Sequence, residues 1–132
     1  MSTAPPRIHR LPVRVYYEDT DMAGIVYYAN YLRYIERGRS EWVRDVGLDQ
    51  NRMKEQDGIV YAVRRVEADY LAPARLDDEL EVLTWVAERR PARMIMGQEV
   101  RRGDKLLFAA LVTVICMTLA GKPVRMPVYH EG

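Results

Sequence analysis

A chain of 132 residues with one cysteine and two histidines suits a single domain, residues 1–132, and excludes an internal disulfide or a thiol-rich zinc site. Its 48% hydrophobic share can build a core. With 20 basic and 19 acidic side chains, the net charge of +1 excludes a nucleic-acid binder that works by bulk charge.

Along the chain, residues 1–10 hold two prolines and no periodicity, and read as a loose arm. Residues 11–17 alternate well enough for a first strand, with Val13, Val15 and Tyr17 on one face. A carboxylate-rich connection follows, carrying Glu18, Asp19, Asp21 and Gly24. From about Asn30, the residues Tyr31, Tyr34, Ile35, Gly38, Trp42, Val43 and Val46 recur at helical spacing, with Asn30 as N-cap and Gly47 as the closing residue. Gly38 sits mid-helix on the apolar face, where glycine costs roughly 1 kcal/mol against alanine, and marks a close approach of helix to sheet.

After a polar stretch, residues 48–58, every further element reads as strand. Residues 59–71 form a long one ending at Pro73. Residues 79–88 put Leu80, Val82, Thr84 and Val86 on one face. Arg90, Pro91 and Ala92 mark a tight connection, and Met94, Met96, Gln98 and Val100 alternate in the next strand. Arg102, Gly103 and Asp104 form a hairpin turn before the last and most apolar strand, residues 105–119. Its apolar run, residues 106–120, is shorter than the ~20 residues needed to span a bilayer, so no stable membrane insertion is expected. The N-terminus lacks the apolar core of a secretory signal, and the expected location is cytoplasmic.

One strand, one long helix and four strands with short connections predict an α+β fold: a curved antiparallel five-stranded sheet wrapped around one central helix. One helix cannot cover both faces of such a sheet. The outer face or an edge, with Leu83, Trp85 and Ile95, is expected to meet another subunit.

The chemistry concentrates between residues 14 and 31. A helix start offers free N–H donors and the positive end of a dipole, and a carboxylate facing it suits attack on a carbonyl. Arg14, Val15, Thr20, Asp21, Gly24, Ile25, Val26, Tyr27 and Tyr31 together resemble the signature of the 4-hydroxybenzoyl-CoA thioesterase family, of hotdog fold. The preceding Tyr16, Tyr17, Glu18 and Asp19, and the helix residues Glu36, Arg37, Arg39, Glu41 and Trp42, are similar to its YbgC-like branch. That branch comprises bacterial acyl-CoA thioesterases associated with the Tol–Pal envelope system.

The resemblance implies an acyl-CoA thioesterase that hydrolyses the thioester to free acid and CoA without a cofactor. Asp21 takes the catalytic carboxylate position, as nucleophile or general base. The amide of Tyr28 is the implied donor to the thioester oxygen, and many YbgC-like sequences carry histidine at that position. Glu18 and Asp19 read as satisfied loop carboxylates. Gly24 lets substrate approach the main chain. Arg89, Arg90 and Arg93 are the implied contacts for the CoA phosphates, with Arg64, Arg65, Arg101 and Arg102 as weaker candidates. Met94, Met96 and Met117 read as core filling rather than an acyl pocket.

The resemblance also implies a homo-oligomer, dimer or tetramer, with active sites at the dimer interface. Acyl carrier protein stays open as an alternative partner. Hotdog dehydratases, which act on acyl carrier protein substrates, use a helix histidine, and the only histidines here are His9 and His130. The other open reading is a non-catalytic or weakly catalytic partner-binding protein of the envelope machinery.

Overall fold

The computed structural model describes residues 7–127 and 129; His130 lies outside the described residues. Five strands form one antiparallel sheet: β1 (His9–Arg14), β2 (Ile59–Tyr70), β3 (Glu79–Arg89), β4 (Arg93–Arg102) and β5 (Lys105–Thr118), in spatial order β1-β3-β4-β5-β2. Helix α1 (Asn30–Asp45) packs on it against β1, β3 and β4. The α+β, sheet-around-a-helix expectation therefore holds.

Helix α1 presents Tyr31, Tyr34, Ile35, Gly38, Trp42 and Val43 to the sheet. Those positions follow the three- and four-residue spacing read from the sequence. Inner-face residues Leu80, Val82, Met94, Met96, Val100, Phe108, Val112 and Val114 complete the core. At Gly38 a Cβ atom would lie 2.7 Å from Thr84 Oγ1 and 2.8 Å from Val82 Cγ1, so the helix touches the sheet there and only glycine fits. The buried amide of Gln98 bridges the two layers, donating to Ile35 O at 2.7 Å and to Thr84 Oγ1 at 2.8 Å.

The helix closes as expected. The Gly47 N–H donates to Arg44 O and the Leu48 N–H to Val43 O, each at 3.0 Å, a Schellman ending. Its start differs: Ala29 is the cap residue, and Asn30 uses its side chain to donate to Asp19 O at 2.9 Å, tying the helix to the preceding loop.

Three further expectations are corrected. Strand β1 begins at His9, inside the stretch read as a loose arm, because antiparallel pairing from His9↔Thr84 to Arg14↔Glu79 extends it. Tyr17 leaves the strand for a turn of 3₁₀ helix, Tyr17–Asp19, and is 82% exposed. The polar stretch contains one helical turn, α2 (Gln50–Arg52), which continues into a wider turn, Met53–Asp57. Asp49 caps it by accepting the Arg52 N–H at 3.1 Å.

On the outer face, Leu83 is already buried within the single chain, and the Trp85 indole lies flat over Gly97, so both are better covered than expected. The exposed apolar side chains gather instead on β2 and the carboxylate loop: Val63, Val66, Tyr70, Met22, Tyr27 and Tyr28.

Candidate active site

Between Thr20 and Val26 the chain forms a small hairpin. Those two residues bridge antiparallel, Asp21 N–H donates to Ile25 O at 2.9 Å, and Gly24 N–H returns to Asp21 O at 3.0 Å. Gly24 has φ +77°, the left-handed conformation that closes this turn at least cost for glycine. Thr20 steadies the entry by donating through Oγ1 to Tyr17 O at 2.7 Å.

The Asp21 side chain is exposed at the hairpin tip. Its Oδ1 accepts the Ala23 N–H at 2.9 Å, whereas Oδ2 has no hydrogen-bond partner among the described residues. One oxygen is thus oriented and the other is available. Asp19 behaves as expected for a satisfied carboxylate, with Oδ2 accepting the Tyr16 N–H at 2.9 Å.

Tyr27 N–H donates to Asp19 O at 2.9 Å, which brings the chain before α1 back beside the chain before Asp21. At the next residue, the Tyr28 backbone N–H has no acceptor among the described residues. The site thus holds a carboxylate with one oxygen unpartnered and, just before the helix start, an unpartnered amide among the described residues.

The Tyr28 side chain belongs to an aromatic chain. Its ring lies 4.8 Å from Tyr27 and 6.2 Å, edge-on, from Tyr70; Tyr70 in turn meets Tyr31 at 5.6 Å and Phe108 at 5.0 Å. Tyr27 is pushed up by its hydrogen bond and charge interaction with Tyr28, and Tyr70 by burial and then by Tyr28. Tyr27 and Tyr70 are therefore neutral hydrogen-bonding walls at neutral pH.

The loop rests on a segment that sequence reasoning passed over, residues 72–78. Val26 N–H donates to Ala74 O at 2.8 Å, Ala74 N–H donates to the buried Tyr31 hydroxyl at 3.0 Å, and Ile25 bridges Arg75. Asp78 holds this segment in shape: its Oδ2 accepts from Arg75 N–H at 2.8 Å and from Arg102 Nη1 at 2.7 Å. Partial burial works to raise the Asp78 carboxyl, but these two donors outweigh it and hold it below its ordinary value. The available signal was the acidic pair Asp77-Asp78 ahead of a strand, since Asp77 adopts φ +69°, a turn conformation aspartate tolerates.

The expected phosphate contacts lie elsewhere. Arg89 ends β3, Arg93 begins β4, and Arg90 sits in the connection between them. The Asp21 loop is anchored at the other end of β3, since Asp78 O accepts the Val15 N–H just before Glu79. Eleven residues of strand separate the two ends, roughly 35 Å at the usual rise. Arg89 stacks on the Tyr129 ring, 3.9 Å from its centroid, and Arg90 pairs with Glu88 at 2.8 Å. Arg93 has no carboxylate partner among the described residues. Of the weaker candidates, Arg65 pairs with Glu67, Arg101 with Glu99 and Arg102 with Asp78.

Among the described residues no three His, Cys, Asp or Glu side chains are grouped to hold a metal ion, and no helix is long and apolar enough to cross a membrane.

Comparison with known proteins places this arrangement. Residues 15–129 match the family model described as the Thioesterase-like superfamily. The chain is 41% identical over 117 residues to the acyl-CoA thioesterase YbgC of Haemophilus influenzae, covering 88% of this chain and 86% of that protein. It is 38% identical to the acyl-CoA thioester hydrolase YbgC of Escherichia coli O6:H1, covering 91% and 90% respectively. Among solved structures, one titled "Probable Thioesterase" from Bartonella henselae superposes with a TM-score of 0.88 at 35% identity, covering 92% of this chain and 100% of that one.

Proposed function

The chain belongs to the thioesterase-like superfamily and is a thioester hydrolase, and from that premise we propose that it cleaves acyl-CoA with Asp21 as the catalytic carboxylate. The observation that carries this reading is a half-free Asp21 carboxylate on the hairpin together with the unpartnered Tyr28 amide in the segment that leads from it into α1. The amide receives the thioester oxygen, where negative charge develops as the carbonyl becomes tetrahedral; one such donor is worth ~3 kcal/mol of barrier. Asp21 attacks the carbonyl carbon itself or takes the proton from a water that does, and CoA departs as its thiolate.

Arginines at the far end of β3 cannot hold the nucleotide of a thioester bound at Asp21 of the same protomer. A second copy resolves this. The outer edge of β2 is unpaired among the described residues, and its exposed Val63, Val66 and Tyr70 offer an apolar seam. Antiparallel pairing of two such edges about a two-fold axis sets the arginine-bearing end of the partner's β3 beside this protomer's Asp21 end. The active unit is accordingly a homodimer with sites shared between copies.

Asp21→Asn preserves size and polarity while removing the ionisable group. It should lower kcat at least ~100-fold with an unchanged circular dichroism spectrum. Retention of more than about a third of wild-type turnover would rule Asp21 out. A panel of acyl-CoAs separates this reading from a non-catalytic partner-binding role in the envelope machinery, which predicts no turnover on any of them.

A further inference from the structure

Apart from the Asp21 loop, the described residues enclose a cavity of about 360 Å³ between the C-terminal half of α1 and the start of β2. Its size is at the lower end of small-molecule sites. Met94, Met96 and Val114, all nearly inaccessible to solvent, form its floor with Val43. Glu36 and Gln50 are exposed and stand at its mouth. Arg39, Ser40 and Tyr61 supply the polar part of the wall.

Arg39 distinguishes this cavity from ordinary core. Its Nη1 donates to the fully buried Gln98 Oε1 at 3.0 Å, so the guanidinium is anchored deep, against the centre of the sheet. Among the described residues it has no carboxylate within ion-pair distance, unlike the surface arginines 10, 14, 44, 65 and 90. Burial lowers its proton affinity and the charge of Glu36 partly restores it. Tyr61 lines the same wall, its phenol pushed up to about 12 by burial, so it offers an O–H donor at neutral pH. An anchored cation with no carboxylate at ion-pair distance among the described residues and a neutral donor, set above a methionine floor, match an apolar chain that ends in a carboxylate.

We propose that this cavity receives an apolar chain whose far end carries a carboxylate, with Arg39 and Tyr61 binding that carboxylate and Met94, Met96 and Val114 packing its methylenes. On the thioesterase reading above, on which this second half rests, the preferred acyl group is ω-carboxylated. Antiparallel β2 pairing also places this cavity next to the partner's Asp21 loop.

Binding is tested first, without turnover, by calorimetric titration of octanoate and of octanol. Octanoate should bind the wild-type protein at least ~10-fold more tightly than octanol, a ratio that Arg39→Gln erases. Ser40→Phe, which fills the cavity from the α1 face shared with Glu36 and Val43 and leaves Arg39 in place, should abolish octanoate binding. Equal affinities for the two probes, a ratio that survives Arg39→Gln, or unimpaired binding to Ser40→Phe would each overturn the proposal.

The second arm compares kcat/KM for adipyl-CoA and hexanoyl-CoA, which differ only in the terminal carboxylate. The wild type should favour adipyl-CoA by ~10-fold and Arg39→Gln should not. Hexanoyl-CoA preferred by the wild type would overturn the specificity. Absence of turnover on both would count against the thioesterase reading instead, with the binding arm still deciding the site.

Discussion

The two ends of β3 are built differently. At the Glu79 end, the Asp21 hairpin is held by backbone bonds within itself, by bonds to Tyr17 and Ala74 and by a bridge from Ile25 to Arg75, and its key side chain is exposed with one oxygen unpartnered among the described residues. At the Arg89 end, three arginines crowd a short connection, and two are engaged by Tyr129 and Glu88. In the proposed function the first end breaks the thioester and the second binds the polyanionic handle. A strand of eleven residues keeps them apart, which is why the proposed site draws on two copies.

The comparison breaks most visibly in kinetics. Asp21→Asn should depress kcat by the ~100-fold stated above and leave KM near wild type, because the carboxylate acts in the transition state. Should KM rise instead with kcat preserved, the hairpin end would be a binding element and the contrast between the two ends would fail.

Next in size is the scaffold beneath the hairpin. Asp78→Asn removes a charged acceptor of two donors and should cost about 1–3 kcal/mol in urea unfolding at neutral pH. The sign of its pH dependence follows from the lowered folded value. Its contribution is fully present above the ordinary carboxylate range and fades as pH falls through the folded value, so wild-type and variant stabilities should converge in acid. Parallel curves down to acid pH would show that the charge is not what holds residues 72–78.

The charge-gathering end should respond in KM. Arg89 is left in place because Tyr129 packs against it. Replacing Arg90 and Arg93 by Gln should raise KM for acyl-CoA by ~10-fold with little change in kcat, since nucleotide contacts bind ground and transition states alike. Acyl-pantetheine thioesters, which lack the nucleotide, should be unaffected. Equal losses on both substrates would assign these residues to structure.

Smallest is the effect of Tyr28→Phe. It deletes a hydroxyl while keeping the backbone donor and the ring contacts with Tyr27 and Tyr70, so activity should fall less than ~3-fold. A loss near that of Asp21→Asn would make the phenol a participant.

What the sequence disclosed follows from what is local. Helix α1 was legible from apolar spacing, its ending from Gly47, and its contact with the sheet from Gly38, because each depends on a handful of neighbouring residues. The family signature marked the Asp21 hairpin for the same reason. The support of residues 72–78 was not legible, since its bonds to Val15, Val26, Tyr31 and Arg102 span dozens of residues. Nor was the separation of Asp21 from the arginines, which depends on strand direction and sheet order rather than on any motif. Tyr17 kept the alternation of a strand and yet turned outward, because Tyr16 and Asp19 close a local turn there.

The claim that one site draws on two copies is tested most directly by mixing two defective proteins. Asp21→Asn protein and the Arg90→Gln/Arg93→Gln protein, unfolded and refolded together in equal amounts, form hybrids in which one site has both intact parts. Assayed at acyl-CoA well below KM, the mixture should reach about a quarter of wild-type activity, because half the dimers are hybrids and each carries one whole site. Activity no greater than the mean of the two parents would contradict the account and place Asp21 and its arginines in the same protomer.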